Sequence, residues 1–287
     1  MYLFLAAGVV VISQSGNIVR LADAHPVAVA GWRLLMASVV LLPLAGRDLY
    51  RLRGLTGKER GLLLLSGLFL ATHFFAWIAA VQGTTIASAA IFFSINPVFV
   101  ATASFLFYGE RPTARLVLSV LLGMAGVVVL GLGDLKLDSS HLAGDAWAVL
   151  CALLFTGYFM LGKRLRRVLP TTVYVAVVYA VAAAVSFGAM AAAGIAATGY
   201  SGRSWLAFVL LALGPTLIGH TSFNHALRYL KAGWLSALTL SEPVLAAAVA
   251  WLAWAEPVTG PAFAGYLLVS TSVLVLVSER GAMRGGG

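Results

Sequence analysis

Ten apolar runs, each about as long as a helix that crosses a lipid bilayer, follow one another along the chain with short polar breaks between them. They cover residues 2–20, 27–46, 60–81, 84–108, 113–132, 142–162, 171–194, 205–227, 232–254 and 260–279. The hydrocarbon interior offers no hydrogen-bonding partner to a backbone, so only helices and closed barrels cross it. These runs are continuous and show no alternation of apolar and polar residues, which excludes a barrel. Of the 287 residues, 61% are hydrophobic and 10% charged, against about 25% charged in soluble domains. The expected fold is therefore an all-α integral membrane protein. The first run has no basic flank before it and no small-residue cleavage site after it, and is read as a spanning helix, not a removed signal. The single cysteine, Cys151, lies inside an apolar run, so no internal disulfide forms.

The formal net charge is +9, and where the charges fall decides what it means. Arg47, Arg51, Arg53, Lys58, Arg60, Arg111, Arg115, Lys163, Arg164, Arg166, Arg167, Arg228, Lys231, Arg280 and Arg284 all fall in breaks on one side of a ten-span layout. Arg20, Lys136 and Arg203 fall on the other. Fifteen against three is a positive-inside pattern, which places both termini in the cytoplasm of a cell with an inner membrane. The basic residues then face anionic lipid headgroups, and no nucleic-acid partner is implied.

Two stretches repeat one another: Pro97 precedes Glu110 and Pro243 precedes Glu256 by thirteen residues, and the two pairs are 146 residues apart. Pro97 lies in the fourth run and Pro243 in the ninth, so the unit is five spans. Because five is odd, the second copy enters the membrane inverted. The expected units are residues 1–138 and 139–287, around a central cavity. Secondary transporters are built this way, with the solute site at the repeat interface; channels and receptors use the plan less often.

The segments "NPVFVATASFLFYGERPT" and "EPVLAAAVAWLAWAEPVT", together with "GWRLLMASVVLLPL" and "VLLGMAGVVVLGLGD", resemble the EamA-type carriers of the drug/metabolite transporter superfamily. Nearly the whole chain takes part, and within the superfamily it looks most like the YddG-type aromatic amino-acid exporters. The resemblance implies ten helices in two five-helix repeats, with the fifth and tenth as peripheral supports. It leaves the cargo open among amino acids, drugs, sugars and other metabolites. The second half has no arginine matching Arg33.

Polar residues inside apolar runs are the candidate site. Packing through interhelical hydrogen bonds is the ordinary explanation for each; a shared depth and face favours a cavity. Glu242 lies at the centre of its run, where a charge costs about 3 kcal/mol or more. It is read as a proton site or a contact for a substrate ammonium, the alternative being a protonated carboxyl bonded to a neighbouring helix. Asn96 is its counterpart in the first repeat. Pro97, Pro215 and Pro243 are expected kinks or hinges, freeing the carbonyls of Phe93, Leu211 and Thr239. Ser66, His73 and Trp77 share a helical face beside Phe74; an outer aromatic belt is the other reading for Trp77. Thr216, His220 and Asn224 follow one another at i, i+4, i+8 beside Phe223. Gln14, Asn17, and Tyr158 beyond Phe155, are further lining candidates, as is Phe93. Arg33 either binds a substrate carboxylate, pairs with Glu242, or extends to the outer headgroups.

No metal site or cofactor is expected, since His73 and His220 come with no matching carboxylate or thiolate cluster in the sequence. Gly131-Leu132-Gly133-Asp134 matches the Gly-x-Gly-Asp of intramembrane aspartyl proteases, but no second embedded aspartate accompanies it. No phosphate-binding loop is present and no ATPase subunit is implied, so an enzyme is not expected. The expected function is secondary export of small metabolites, amino acids foremost, with aromatic and other hydrophobic ones favoured. The alternatives are a multidrug or quaternary-cation exporter, with Glu242 as counter-charge in an aromatic cage, and, further off, a channel or receptor.

Overall fold

The computed structural model describes residues 1–132, 141–254 and 260–278. Asp134, Lys136, Glu256, Arg280, Arg284 and the expected boundary at 138/139 lie outside the described residues. Among the described residues the regular structure is helical and no β-strand occurs. The helices are α1 (Tyr2–Ile12), α2 (Ser15–Val19), α3 (Pro26–Ala45), α4 (Gly57–Gly83), α5 (Ile86–Phe93), α6 (Asn96–Tyr108) and α7 (Ala114–Gly131). After these come α8 (Leu142–Leu165), α9 (Thr171–Ala192), α10 (Gly202–Leu211), α11 (Thr221–Ala226), α12 (Ala232–Ala237), α13 (Glu242–Trp254) and α14 (Gly260–Val277). A π-helical stretch, Ala212–His220, joins α10 to α11, and a 3-10 turn, Leu238–Ser241, joins α12 to α13. Among the described residues seven stretches are long and apolar enough to cross a membrane, and α1 and Phe263–Val277 are shorter apolar helices.

Helix starts follow local chemistry. Thr56 opens α4 with a capping box: its hydroxyl accepts from the Glu59 N–H while the Glu59 carboxylate accepts from the Thr56 N–H. Thr85, Thr113 and Ser201 cap α5, α7 and α10 through their hydroxyls. Gly109 ends α6 in the left-handed region at φ 66°, where a side chain would be strained.

Three runs expected as unbroken helices are broken. The first divides at Ser13–Gln14, where the Ser13 hydroxyl takes the Val10 carbonyl. The fourth divides at Ser94–Ile95: Pro97 has no N–H to continue the ladder and sits in the first turn of α6. The ninth divides at Leu238–Ser241, and Pro243 sits in the first turn of α13. These two prolines therefore begin new helices instead of kinking continuous ones. Pro215 does lie inside a helix, in the π-helical stretch, and the carbonyl of Leu211 near it accepts the Thr216 hydroxyl at 2.8 Å. The break after α3 contains a 3-10 helix, Gly46–Gly54, that was not expected.

The element boundaries keep the 146-residue interval. α7 and α14 start and end 146 residues apart, as do the starts of α5 and α12 and those of α6 and α13. The most extensive helix pairs are α7 with α14, α4 with α8, and α3 with α9. Small residues permit the first: a Cβ on Gly126 would lie 2.9 Å from the Gly265 carbonyl oxygen, and Ser272 donates to the Ser119 carbonyl at 2.7 Å. Polarity is arranged inside out. Leu3, Leu44, Leu106, Phe107, Leu121 and Leu274 are exposed, while Arg33, Ser66, Asn96, Thr216 and Asn224 are buried. In lipid the outward residues must be apolar, and polar groups find their partners between helices.

Candidate functional site

The breaks in the helices bring irregular backbone to the middle of the bundle, where a small cavity lies between them. Ser15 of α2, Phe93 of α5 and Thr239 of the 3-10 turn reach it from three of the interrupted runs. Three residues of α4 contribute: His73, Phe74 and Trp77. Phe155 of α8, His220 of the π-helical stretch, Phe223 of α11 and Glu242 of α13 complete most of the wall. Non-helical and π-helical backbone at such depth persists where it lines a cavity.

The wall is a continuous set of ring contacts. His73 and His220 lie 5.9 Å apart between ring centroids, Phe74 meets His220 edge-on at 4.7 Å, and His73 lies 5.1 Å from Phe155. Trp77 packs edge-on against Phe93 at 5.6 Å, and its indole N–H has no acceptor among the described residues. His73 Nδ1 is 3.1 Å from the Cys151 carbonyl oxygen and 3.2 Å from its Sγ. With Nδ1–H donated to the carbonyl, Nε2 is left as an acceptor. Glu242 takes part in none of the ion pairs formed among the described residues.

Thus the structure gathers His73, Trp77, Phe93, His220 and Glu242 around one cavity. Five other lining candidates are placed elsewhere. At the α1–α2 break the Asn17 amide donates to the Gln14 side-chain carbonyl and the Gln14 amide donates to the Ser13 hydroxyl, so both serve that turn. The Asn96 amide donates to the Ala152 carbonyl at 3.1 Å, tying α6 to α8. Tyr158 accepts from the Asn224 amide at 2.5 Å, and Asn224 also donates to the His220 carbonyl at 2.7 Å. The Asn96 and Tyr158 bonds join different helices, while the bond to the His220 carbonyl lies within one run. Arg33 neither reaches the surface nor pairs with Glu242: it is fully buried, its Nε donates to Thr216 Oγ1 at 2.9 Å, and its guanidinium lies 4.0 Å from the centre of the Phe74 ring. Ser15 and the Cys151 contact with His73 had no signal in the sequence, because each depends on which helices become neighbours. No group of three metal-ligating residues occurs among the described residues.

Where the basic end of α8 meets the end of α6, the packing is closed. Lys163 pairs with Glu110, Tyr108 donates to the Met160 carbonyl at 2.7 Å, and Arg166 reaches the carbonyls of Asn224 and Leu169 and the Thr171 hydroxyl.

An all-helical bundle with an apolar exterior and a cavity among broken helices is the architecture of a multi-pass membrane protein. The chain belongs to the EamA-like transporter family, whose sequence profile matches residues 1–132 and 142–278. An uncharacterized transporter of Archaeoglobus fulgidus is 26% identical over 263 residues, covering 91% of this chain and 90% of that protein. One crystal structure of another protein shares the fold with a TM-score of 0.80 at 22% identity, over 97% of each chain. The protein is a membrane-embedded transporter of this family.

Proposed function

We propose that the protein is a secondary transporter with ten membrane-crossing segments in two inverted five-helix repeats, exporting amino acids, with aromatic and other hydrophobic ones preferred. The observation that carries this is the wall itself: two histidines, Trp77, Phe74, Phe93 and Phe155 around one carboxylate, Glu242. The rings suit an apolar side chain, and Glu242 suits an ammonium group.

The repeat is supported by the shared 146-residue interval of helix boundaries and by which runs reach the cavity. The first, third and fourth contribute, and so do their counterparts the sixth, eighth and ninth. Both termini lie in the cytoplasm on the distribution of basic residues, and the membrane is the cell's inner one. In that orientation the Lys163–Glu110 pair closes the cytoplasmic side, and export proceeds by one repeat rocking against the other around the cavity.

The test is counterflow in proteoliposomes. Vesicles loaded with unlabelled phenylalanine are diluted into labelled phenylalanine, with leucine, a quaternary cation and a sugar phosphate in parallel. Transient accumulation of labelled amino acid is expected. Accumulation of the cation alone would convert the aromatic wall into a cation cage around Glu242. Flux without counterflow would mean a channel, and binding without flux a receptor.

A further inference from the structure

The least expected feature of the interior is an arginine whose charge is almost unanswered. Arg33 is 0% exposed, and only its Nε–H finds an acceptor, Thr216 Oγ1. Nη1 and Nη2, which carry four N–H groups between them, have no acceptor among the described residues. The Thr216 hydroxyl in turn donates to the Leu211 carbonyl at 2.8 Å, which fixes its orientation toward Nε. A buried charge with unmet donors is expensive, and membrane proteins keep such groups where they serve a solute pathway. The remaining neighbour is the Phe74 ring, whose face the guanidinium covers at 4.0 Å. Phe74 also lines the cavity and touches His220. The guanidinium therefore stands one aromatic ring behind the cavity wall, paired with no carboxylate among the described residues.

We propose that Arg33 is the carboxylate-recognising group of this transporter, screened by Phe74 and engaged when that ring turns aside, so that accepted solutes carry a carboxylate and simple cations are rejected. This rests on the amino-acid reading of the same cavity and sharpens it. Glu242 and Arg33 then supply the two opposite charges that a zwitterion needs. A guanidinium grips a carboxylate through two parallel hydrogen bonds, and its two free nitrogens are the pair required.

The first experiment needs no variant. Counterflow of labelled phenylalanine by the full chain is competed with phenethylamine, which lacks the carboxylate, and with hydrocinnamate, which lacks the amine. Hydrocinnamate should compete and phenethylamine should be at least about tenfold weaker than phenylalanine, the loss of a charged hydrogen-bonded contact being worth that factor or more. Equal competition by phenethylamine would overturn the assignment. Arg33→Met should then raise the KM for phenylalanine about tenfold or more and abolish the preference over phenethylamine, with Arg33→Lys recovering part of it. An unchanged KM and preference in Arg33→Met would also overturn it. Melting of the purified protein with each compound separates this from failure of the amino-acid reading. Hydrocinnamate stabilising wild type but not Arg33→Met would support Arg33 even without phenylalanine counterflow. Stabilisation by a quaternary cation alone, equal in both proteins, would sink both.

Discussion

Two arginines are buried among the described residues, and the fold treats them oppositely. Arg166, at the end of α8, is 2% exposed and spreads its guanidinium over the Asn224 carbonyl, the Leu169 carbonyl and the Thr171 hydroxyl. Burial draws its pKa down only to about 10, so it remains a cation at neutral pH. Arg33, deeper and 0% exposed, has one acceptor. The same chain therefore gives each nitrogen of one buried guanidinium an acceptor where the helices are being fastened and, among the described residues, leaves the other largely unmet beside the cavity. Lys163 with Glu110 belongs with Arg166, and Glu242 with Arg33: among the described residues the first pair is joined at the helix ends and the second two are unpaired near the cavity.

Removing the fastened arginine should have the largest effect on stability. Arg166→Met strands two carbonyls and a hydroxyl, a loss of about 3 kcal/mol and on the order of 10 °C in melting temperature in detergent. Arg33→Met should change the midpoint by less than about 3 °C, or raise it, because an unpaired buried charge gives way to an apolar side chain. The reverse order would break the comparison. Next comes the Lys163–Glu110 pair. Its side chains are 5% and 17% exposed, and a thermal double-mutant cycle with Lys163→Met and Glu110→Gln should return a coupling of about 1–2 kcal/mol; a coupling near zero would remove it from the fastenings. Thr56→Ala, which breaks the capping box of α4 outside the bilayer, should cost about 1 kcal/mol in the same assay.

The smallest effect is a pH response at that cap. The Thr56 backbone N–H, and then its hydroxyl, hold the Glu59 carboxyl below its usual pKa of 4.5. An acid with a depressed folded pKa stabilises above its unfolded pKa and loses that contribution as pH falls through the folded one. Melting followed downward from pH 5 should therefore show a decline below about 4.5 that is absent in Glu59→Gln; identical profiles would exclude the cap as its source.

Much of the frame was legible because bilayer physics leaves few choices. The length and continuity of the apolar runs imply helices, and the helices are there. Pro97 and Pro243 marked where regular helix would fail, although each proved to start a helix, since a missing N–H costs nothing in a first turn. His73, Trp77, His220 and Glu242 stood out as polar or amphipathic residues deep in apolar runs, and they meet around one cavity. Asn96, Tyr158 and Asn224 stood out for the same reason and turned instead to the Ala152 carbonyl, to one another and to the His220 carbonyl. A polar residue in a membrane helix must leave the lipid, but its own sequence does not say whether it meets a solute or another helix.

By itself, then, the sequence determined the class, the helical content and a 146-residue interval that several helix boundaries share, because these follow from hydrocarbon thickness and proline chemistry along a single chain. Only the tertiary structure decided that His73 meets Cys151, that Phe74 stands between Arg33 and the cavity, and that Thr216 holds the one answered N–H of that arginine. Those contacts join helices far apart in the chain, and which face of one helix meets which face of another is set by close packing of small residues and by hydrogen bonds that exist only once the bundle has formed.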